Sequence, residues 1–503
     1  MNRINTLFLF TLLAAVGLTA CSGLPQGTVC TVNCTVSGNA TLSVTLQSKP
    51  LTPPPSTNLL SYNLTVGGAT LTPATGNPIN IPGPFTFDLT RLQSDSAFLG
   101  SVTLPSGTYT TLTLSLSGAE VTYCTVTAGV PGCTAGTVTQ VSGGASAPVI
   151  TFPNGGLVVT SSQQAGISVY FDMGGTLTVA NQAISGINLT NGNLTTINLG
   201  PTHTSGLTSS QLDYLEDVTG NVTVNGNVVT IKTATYGSIT ATADSNTYYS
   251  PNCNLTGIGD GTNTINCVQN NQVASIDAIL NADGTIELIS YDPISAANTT
   301  NNDWIEGEVT YTPTNLAQFS IVANDADVSS TGSLLPSSFP IGSPVVVNLA
   351  TGANAAIFGV DTQGLTVPAD YTNFIGTLPA TVLLPGQAVA VHVTSYSSTA
   401  GIVVTADAVE LRFSRVAGTS ATGGNNSSFS YSSNSLPPYF GFTNVNQLVE
   451  LTSGTPPSTN STYYDGITTQ TNITSGLTYS VRALYFGQFD AFPFVAAKVR
   501  QNQ

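Results

Sequence analysis

Apolar residues alternate with hydroxyl-bearing ones along most of this chain. Thr41-Leu42-Ser43-Val44-Thr45-Leu46 and Thr111-Leu112-Thr113-Leu114-Ser115-Leu116 do so strictly. A period of two sends one aliphatic row and one hydroxyl row to opposite faces, which predicts strands with one buried and one wet side. Asn225-Gly226 separates Val222-Thr223-Val224 from Val228-Val229-Thr230-Ile231, and Asp283-Gly284 separates two similar runs. Both dipeptides reach the positive φ of a two-residue turn, so each predicts a hairpin. One helix is predicted, over Ser209–Asp217, where Thr208 and Gln211 have capping-box spacing. The pattern is otherwise all β.

The first residues follow a different rule. Arg3 precedes an apolar run from Leu7 to Leu18, and Leu18-Thr19-Ala20-Cys21 closes it. That run is too short to span a bilayer and has the order of a secretory signal. With cysteine at the cut it resembles the bacterial lipobox, which implies a signal peptide over 1–20, lipidation of Cys21 and a tether over 21–37. Several acyl chains hold a protein at a membrane where one does not. Past Cys21 no apolar run is long enough to cross, so the lipid is the expected membrane attachment. Ser22 after the cysteine is, by the same resemblance, compatible with an outer-membrane address, facing either the periplasm or the outside.

Composition fits an exported protein with an unusual surface. Charged residues are 7% of the chain, against about 25% in typical soluble domains. Apolar residues are 41% and alternate, which favours packed β structure over disorder. The net charge is −16 with nine Lys and Arg. Such a chain repels phosphate backbones, which excludes nucleic acid as a partner. Beyond Cys21 the cysteines fall into close pairs: Cys30 with Cys34, Cys124 with Cys133, and Cys253 with Cys267. Each pair brackets a turn-rich stretch. Local disulfides are the simplest pairing, although spacing leaves other connectivities open. There is no C-x-x-C and neither histidine is near, so no metal site is expected.

Domain organisation follows from turns and internal repeats. A β-sandwich is expected over 38–205. Within it Phe87-Asp88-Leu89, Leu99-Gly100 and Leu104-Pro105-Ser106-Gly107-Thr108-Tyr109 lead into a strand. This succession resembles the bacterial envelope family called domain of unknown function 4382, which implies a sandwich over about 40–200 and no established catalytic residue. Further on, Gly386-Gln387-Ala388-Val389-Ala390-Val391-His392-Val393 lines up with Gly476-Leu477-Thr478-Tyr479-Ser480-Val481-Arg482-Ala483. Val218-Thr219-Gly220 and Ile305-Glu306-Gly307 read as equivalent first strands. Repetition of one supersecondary unit divides the rest into three small barrel-like modules: 206–294 with the short leading helix, 303–415 and 416–500. Their glycine-bearing first strand and closing "alanine, x, x, valine" strand resemble a second uncharacterised family, domain of unknown function 5666.

Candidate chemistry is sparse. His392 lies on a strand face opposite Val391 and Val393, pointing to solvent or lumen; its repeat counterpart Arg482 cannot act as a base, so a tolerant polar position is expected. His203 reads as exposed. Asp303, Glu306 and Glu308 cluster, as do Glu216 and Asp217. Alternation spaces Glu306 and Glu308 by about 7 Å, within the roughly 5–10 Å of a glycosidase pair, but solvent-side charges that blunt a strand edge explain them more simply. Asn324-Asp325-Ala326-Asp327 and Asp260-Gly261-Thr262-Asn263 lack a complete calcium-loop pattern and read as turns. Trp304, Tyr248-Tyr249, Tyr463-Tyr464 and Tyr439-Phe440 are expected to pack at a barrel mouth, a glycan platform being the alternative. No G-x-S-x-G or H-E-x-x-H is present. The expectation is therefore a lipid-anchored, non-enzymatic envelope protein with no catalytic residues, metal or cofactor, serving as spacer or adhesion and interaction module towards envelope proteins or glycans. A carbohydrate-binding lipoprotein and a polysaccharide hydrolase using paired carboxylates are the alternatives.

Overall fold

Strict alternation at Thr41–Leu46 becomes a strand whose Leu42, Val44 and Leu46 are fully buried, but its expected wet face is not wet, since Ser43 and Thr45 are buried as well. The computed structural model describes residues 38–501, apart from 52–56, 127–131, 134–136, 192–193, 200–206, 209, 234–236, 255–261, 296–300, 314–316, 330–331, 353–354, 368, 426, 442–446, 453–460 and 488–491. Cys30 and Cys34, expected to pair with each other, lie outside the described residues. So do Cys21, the 21–37 tether, His203 and Asp260-Gly261.

The first unit is a sandwich of two sheets. Its strands are β1 (Asn39–Ser48), β2 (Thr57–Pro73), β3 (Ile79–Asp88), β4 (Ala97–Pro105), β5 (Gly107–Thr125), β6 (Thr139–Gly143), β7 (Val149–Thr151), β8 (Leu157–Val159), β9 (Gln164–Phe171), β10 (Leu177–Ala180), β11 (Ala183–Ile187) and β12 (Leu194–Leu199). One sheet has the order β12-β9-β1-β4; the other is β3-β2-β5-β6, with β7 and β8 also on β5. β10 and β11 form a separate hairpin. Between the sheets lie Val44, Leu64, Leu112, Leu114, Val121 and Val169. In the Leu104–Tyr109 turn, the Tyr109 hydroxyl donates to the Pro105 carbonyl at 2.7 Å, which fixes the approach to β5.

Three small barrels follow, each of six strands in the same connectivity. They are β13 (Gln211–Asn225), β14 (Val228–Lys232), β15 (Ser238–Thr242), β16 (Tyr248–Tyr249), β17 (Val273–Asn281) and β18 (Ile286–Pro293); β19 (Trp304–Tyr311), β20 (Gln318–Asp327), β21 (Pro344–Leu349), β22 (Ile357–Val360), β23 (Ala388–Ser397) and β24 (Ile402–Arg412); and β25 (Ser414–Thr419), β26 (Ser428–Tyr431), β27 (Gln447–Leu451), β28 (Tyr463–Asp465), β29 (Thr478–Tyr485) and β30 (Phe494–Gln501). In each barrel the third strand runs parallel to the last, and the short fourth strand continues along that same last strand. The third barrel joins its first and second strands through the single bridge Ser420–Tyr431. Both predicted hairpin turns form, with Gly226 at φ 64° and Gly284 at φ 82°. Both described cysteine pairs are disulfides, Cys124–Cys133 and Cys253–Cys267. The Tyr439 hydroxyl of the third barrel lies 2.8 Å from Cys133 Sγ, so the sandwich disulfide is also part of an interface.

Two further local expectations fail. The helix expected over Ser209–Asp217 does not form: Gln211–Asp217 belongs to β13. Half of the capping box does form, Gln211 Oε1 accepting from the Thr208 amide at 2.7 Å, but it closes a turn rather than starting a helix. Pairing of Asp213, Tyr214 and Leu215 with Leu280, Ile279 and Ala278 on β17 prevails. Residues buried on both faces of a strand show no period of two, so the sequence carried no strand signal there. Asn324–Asp327 is likewise strand, the end of β20, and not a turn.

The glycine shared by the first strands has a steric cause. A Cβ on Gly220 would sit 2.3 Å from the Lys232 carbonyl oxygen, and one on Gly307 would sit 2.4 Å from that of Val322. In both barrels the second strand crosses the first at that point. Gly307→Ala is expected to destabilise by about 1–3 kcal/mol through overpacking against a backbone that cannot retreat. Chemical denaturation of that variant checks it, and unchanged stability would refute the steric reading.

Candidate functional site

Charge is scarce in this chain, and its placement is therefore informative. Arg91, Arg412, Arg415, Arg482, Lys498 and Arg500, six of the nine Lys and Arg, lie where the sandwich and the three barrels meet. Their side chains are 15% exposed for Arg91 and 6% or less for the others. A buried charge persists only when paired and hydrogen-bonded, and each cation here faces carboxylates.

Asp217 is the centre. The register of β13 against β17 shifts between Leu215 and Val218, and Asp217 takes φ 53° in that bulge. A bulge re-aims a side chain, and this one directs the carboxylate into the junction. Asp217 accepts from Arg91 of the sandwich at 3.1 Å, Arg412 of the second barrel at 2.8 Å and Arg415 of the third at 2.6 Å. Ser275 at 2.7 Å and Gln363 at 3.2 Å complete its shell. All four units thus converge on one carboxylate of the first barrel. Burial opposes its ionisation, but the surrounding guanidinium groups outweigh burial and hold its pKa well below the usual range.

Further pairs extend the network. Arg412 reaches Asp361 at 2.7 Å, Arg415 reaches Asp95 at 2.8 Å and Arg91 reaches Glu306 at 3.0 Å. Arg482 approaches Asp277 at 3.4 Å and also donates to Gln363. Lys498 pairs with Glu216. Arg500 holds Asp465 at 2.6 Å and donates to the Asp95 carbonyl at 2.8 Å and the Ser96 hydroxyl at 2.9 Å, tying β30 to the sandwich. Aromatics seal the rim: Tyr214 stacks on Tyr463 at 4.8 Å, and Trp304 packs with Val273, Ile294 and Ala390 between the first two barrels.

Acids outnumber cations in this region, and burial raises the affinity of several of them for a proton. Burial pushes Glu410 up to about 8, Asp325 to about 7 and Asp292 to about 6. Burial, with Asp88 nearby, also raises Glu308 well above its ordinary value. The cavities left among the described residues include one of about 60 Å³ beside Arg91, Glu306, Glu308 and Arg415, and one of about 50 Å³ beside Asp88, Asp95, Glu216 and Asp325. Each has room for a few waters. Among the described residues no group of three or more His, Cys, Asp or Glu is arranged to hold a metal ion.

This geometry corrects the reading of the acidic clusters as solvent-side charges. Glu216, Asp217 and Glu306 are 5% exposed or less, because the polar faces of these strands turn towards other units and not towards water. Asp303 is fully buried and accepts from the amides of Ser329, Leu334 and Leu335, stapling the segment after β20. Glu306 and Glu308 do share a strand face, but Glu306 is engaged by Arg91. His392 points neither to open solvent nor into a lumen. It sits against Trp304, ring centroids 5.2 Å apart, with Nδ1 2.5 Å from Asp407. Burial lowers its pKa, Asp407 more than offsets that, and the net shift is upward. Arg482, expected at a tolerant position, is instead buried in the network. Of the arginines in this network, only Arg482 was singled out from the sequence, as a repeat counterpart. One signal was available: five of the nine Lys and Arg fall between 412 and 500.

Residues 39–203 match a family model described as Domain of unknown function (DUF4382), which covers the sandwich. No curated protein matches the chain.

Proposed function

We propose that this is an exported, lipid-anchored envelope protein, without catalytic activity, that works as a spacer or an interaction module. The observation that carries this reading is the Asp217 network. Six of the nine Lys and Arg, with the carboxylates that face them, are committed to joining four units, and the cavities among them have room only for water. A chain that consolidates its units in this way suits a projecting body of defined shape. The described surface left over presents hydroxyls and amides, with Lys49 and Lys232 as its remaining cations. The shared connectivity of the barrels supports reading them as repeats of one unit, and their likeness to the family called domain of unknown function 5666 rests on the sequence pattern. The disulfides agree with an oxidising compartment, and the lipobox-like Leu18–Cys21 supplies the anchor.

Fractionation of cells carrying the wild type and Cys21→Ala tests this. The wild type is expected in the membrane fraction and Cys21→Ala in the soluble one. Protease treatment of intact cells, against a lysed control, then separates a surface spacer, which is digested, from a periplasmic one, which is protected. Equal partition of both forms into the soluble fraction would refute the anchored reading.

A further inference from the structure

We propose that a groove between the sandwich and the second barrel binds a short, neutral saccharide. The groove has a volume of about 400 Å³, within the roughly 300–1,000 Å³ typical of small-molecule sites. Its floor is the outer face of the β3-β2-β5-β6 sheet, and its wall is the segment preceding β21, with Phe339 and Ile341.

The floor is built as a polar row. Asn63 stands opposite Glu120, and Glu120 opposite Ser142, so amide, carboxylate and hydroxyl lie side by side across three strands. Thr65 and Thr86, 3.2 Å apart, continue it. Glu120 is oriented by Gln140 at 3.2 Å, and it is the single charged side chain among the described residues lining the groove. No cation is there to attract phosphate, sulfate or uronate. Paired donors and acceptors beside an apolar wall suit a polyol: vicinal hydroxyls bond amide and carboxylate, and the ring's C–H face lies against the partly exposed Ile341, behind which Phe339 is buried in the barrel core.

Asn63 points to a ligand independently. It is 6% exposed, and neither its Nδ2 nor its Oδ1 has a hydrogen-bond partner among the described residues. A buried amide left unmade is costly, so a group that completes it is expected. The Gly342 backbone lies against one side of it: a Cβ on Gly342 would lie 2.7 Å from Asn63 Nδ2, and Gly342 has φ 85°. The Gly342 carbonyl is held by Thr122 at 2.6 Å and Gln140 at 3.1 Å. These bonds fix the segment beside the amide and leave the groove, whose floor Asn63 helps to line, as the side from which a sugar hydroxyl reaches it.

The test uses the full chain on an array of neutral oligosaccharides built from glucose, galactose, mannose and N-acetylglucosamine, with sulfated and uronate-containing sugars as controls. The wild type is expected to retain at least one neutral sugar and none of the acidic ones. Titration of that sugar is expected to show at least a roughly tenfold weaker Kd in Asn63→Leu, which keeps the volume but removes the amide, and in Ser142→Trp, which fills the groove from an exposed position. A thermal melt separates lost binding from lost fold; should Asn63→Leu not fold, Ser142→Trp decides. A wild type that binds no neutral sugar, or binding that survives the folded variants, overturns the proposal without touching the anchored-spacer reading.

Discussion

Asp217→Asn is expected to lower stability by about 3–5 kcal/mol, the cost of removing one partner from a buried ion network. Asparagine keeps the shape and an acceptor oxygen. It removes the charge that faces Arg91, Arg412 and Arg415, leaving three buried guanidinium groups short of their common counter-ion. The effect should also have a distinctive form. Because the three arginines come from three different units, weakening the centre uncouples the units, and a calorimetric transition that is single in the wild type should split or broaden. Lys49→Met is the comparison. Lys49 pairs with Asp172 at 3.4 Å with the lysine side chain 46% exposed, and an exposed pair contributes less than about 1 kcal/mol. Equal effects of the two substitutions would show that the network does not hold the units together.

The second large effect is on pH dependence. Glu410, Asp325 and Asp292 have folded-state pKa values of about 8, 7 and 6, raised by burial above those of the unfolded chain. Between the unfolded and folded values the native state binds more protons, so stability falls as pH rises. The stabilisation is complete below the unfolded carboxyl range, near pH 4, and is lost as pH climbs through about 6, 7 and 8. Asp217 and Asp95 act in the opposite direction, since their pKa values are lowered against the pull of burial by Arg412 and Arg415 respectively, with the other arginines. Their contribution is present above the unfolded value and lost as pH falls through the folded one. The two trends place maximum stability on the acid side of neutrality, near pH 4–5, with a decline towards pH 8 on the order of 1 kcal/mol per pH unit for each titrating group. Thermal unfolding across pH 3–9 at constant ionic strength checks this, and Glu410→Gln should flatten the upper part of the slope. A stability that is level or rising between pH 5 and 8 would contradict the burial of neutral acids.

Alternation at Thr41–Leu46 and Thr111–Leu116, the turns at Gly226 and Gly284, the Cys124–Cys133 and Cys253–Cys267 bridges and the all-β class were legible because each is a local relation. A strand's period, a dipeptide's positive φ and a short covalent loop depend on neighbours in the chain. The repeated glycine of the first strands was visible as a pattern, though its cause, a carbonyl 2.3–2.4 Å from the missing Cβ, is a contact between strands. The helix at Ser209–Asp217 was misread for the complementary reason: a strand buried on both faces loses the alternation that would have revealed it.

The charged residues followed a logic that local pattern cannot express. Alternation correctly put Glu306 on the polar face of its strand, and polar was taken to mean wet. In the folded chain that face meets Arg91, which lies in the sandwich. Asp217 and Arg412 are 195 positions apart, and Arg415 and Asp95 are 320 apart. By itself the sequence determined the strands, their turns, their local cross-links and the scarcity of charge, since these depend on periodicity and composition. Only the tertiary structure decided which polar faces are buried, because a carboxylate leaves water where another unit brings a guanidinium group to it.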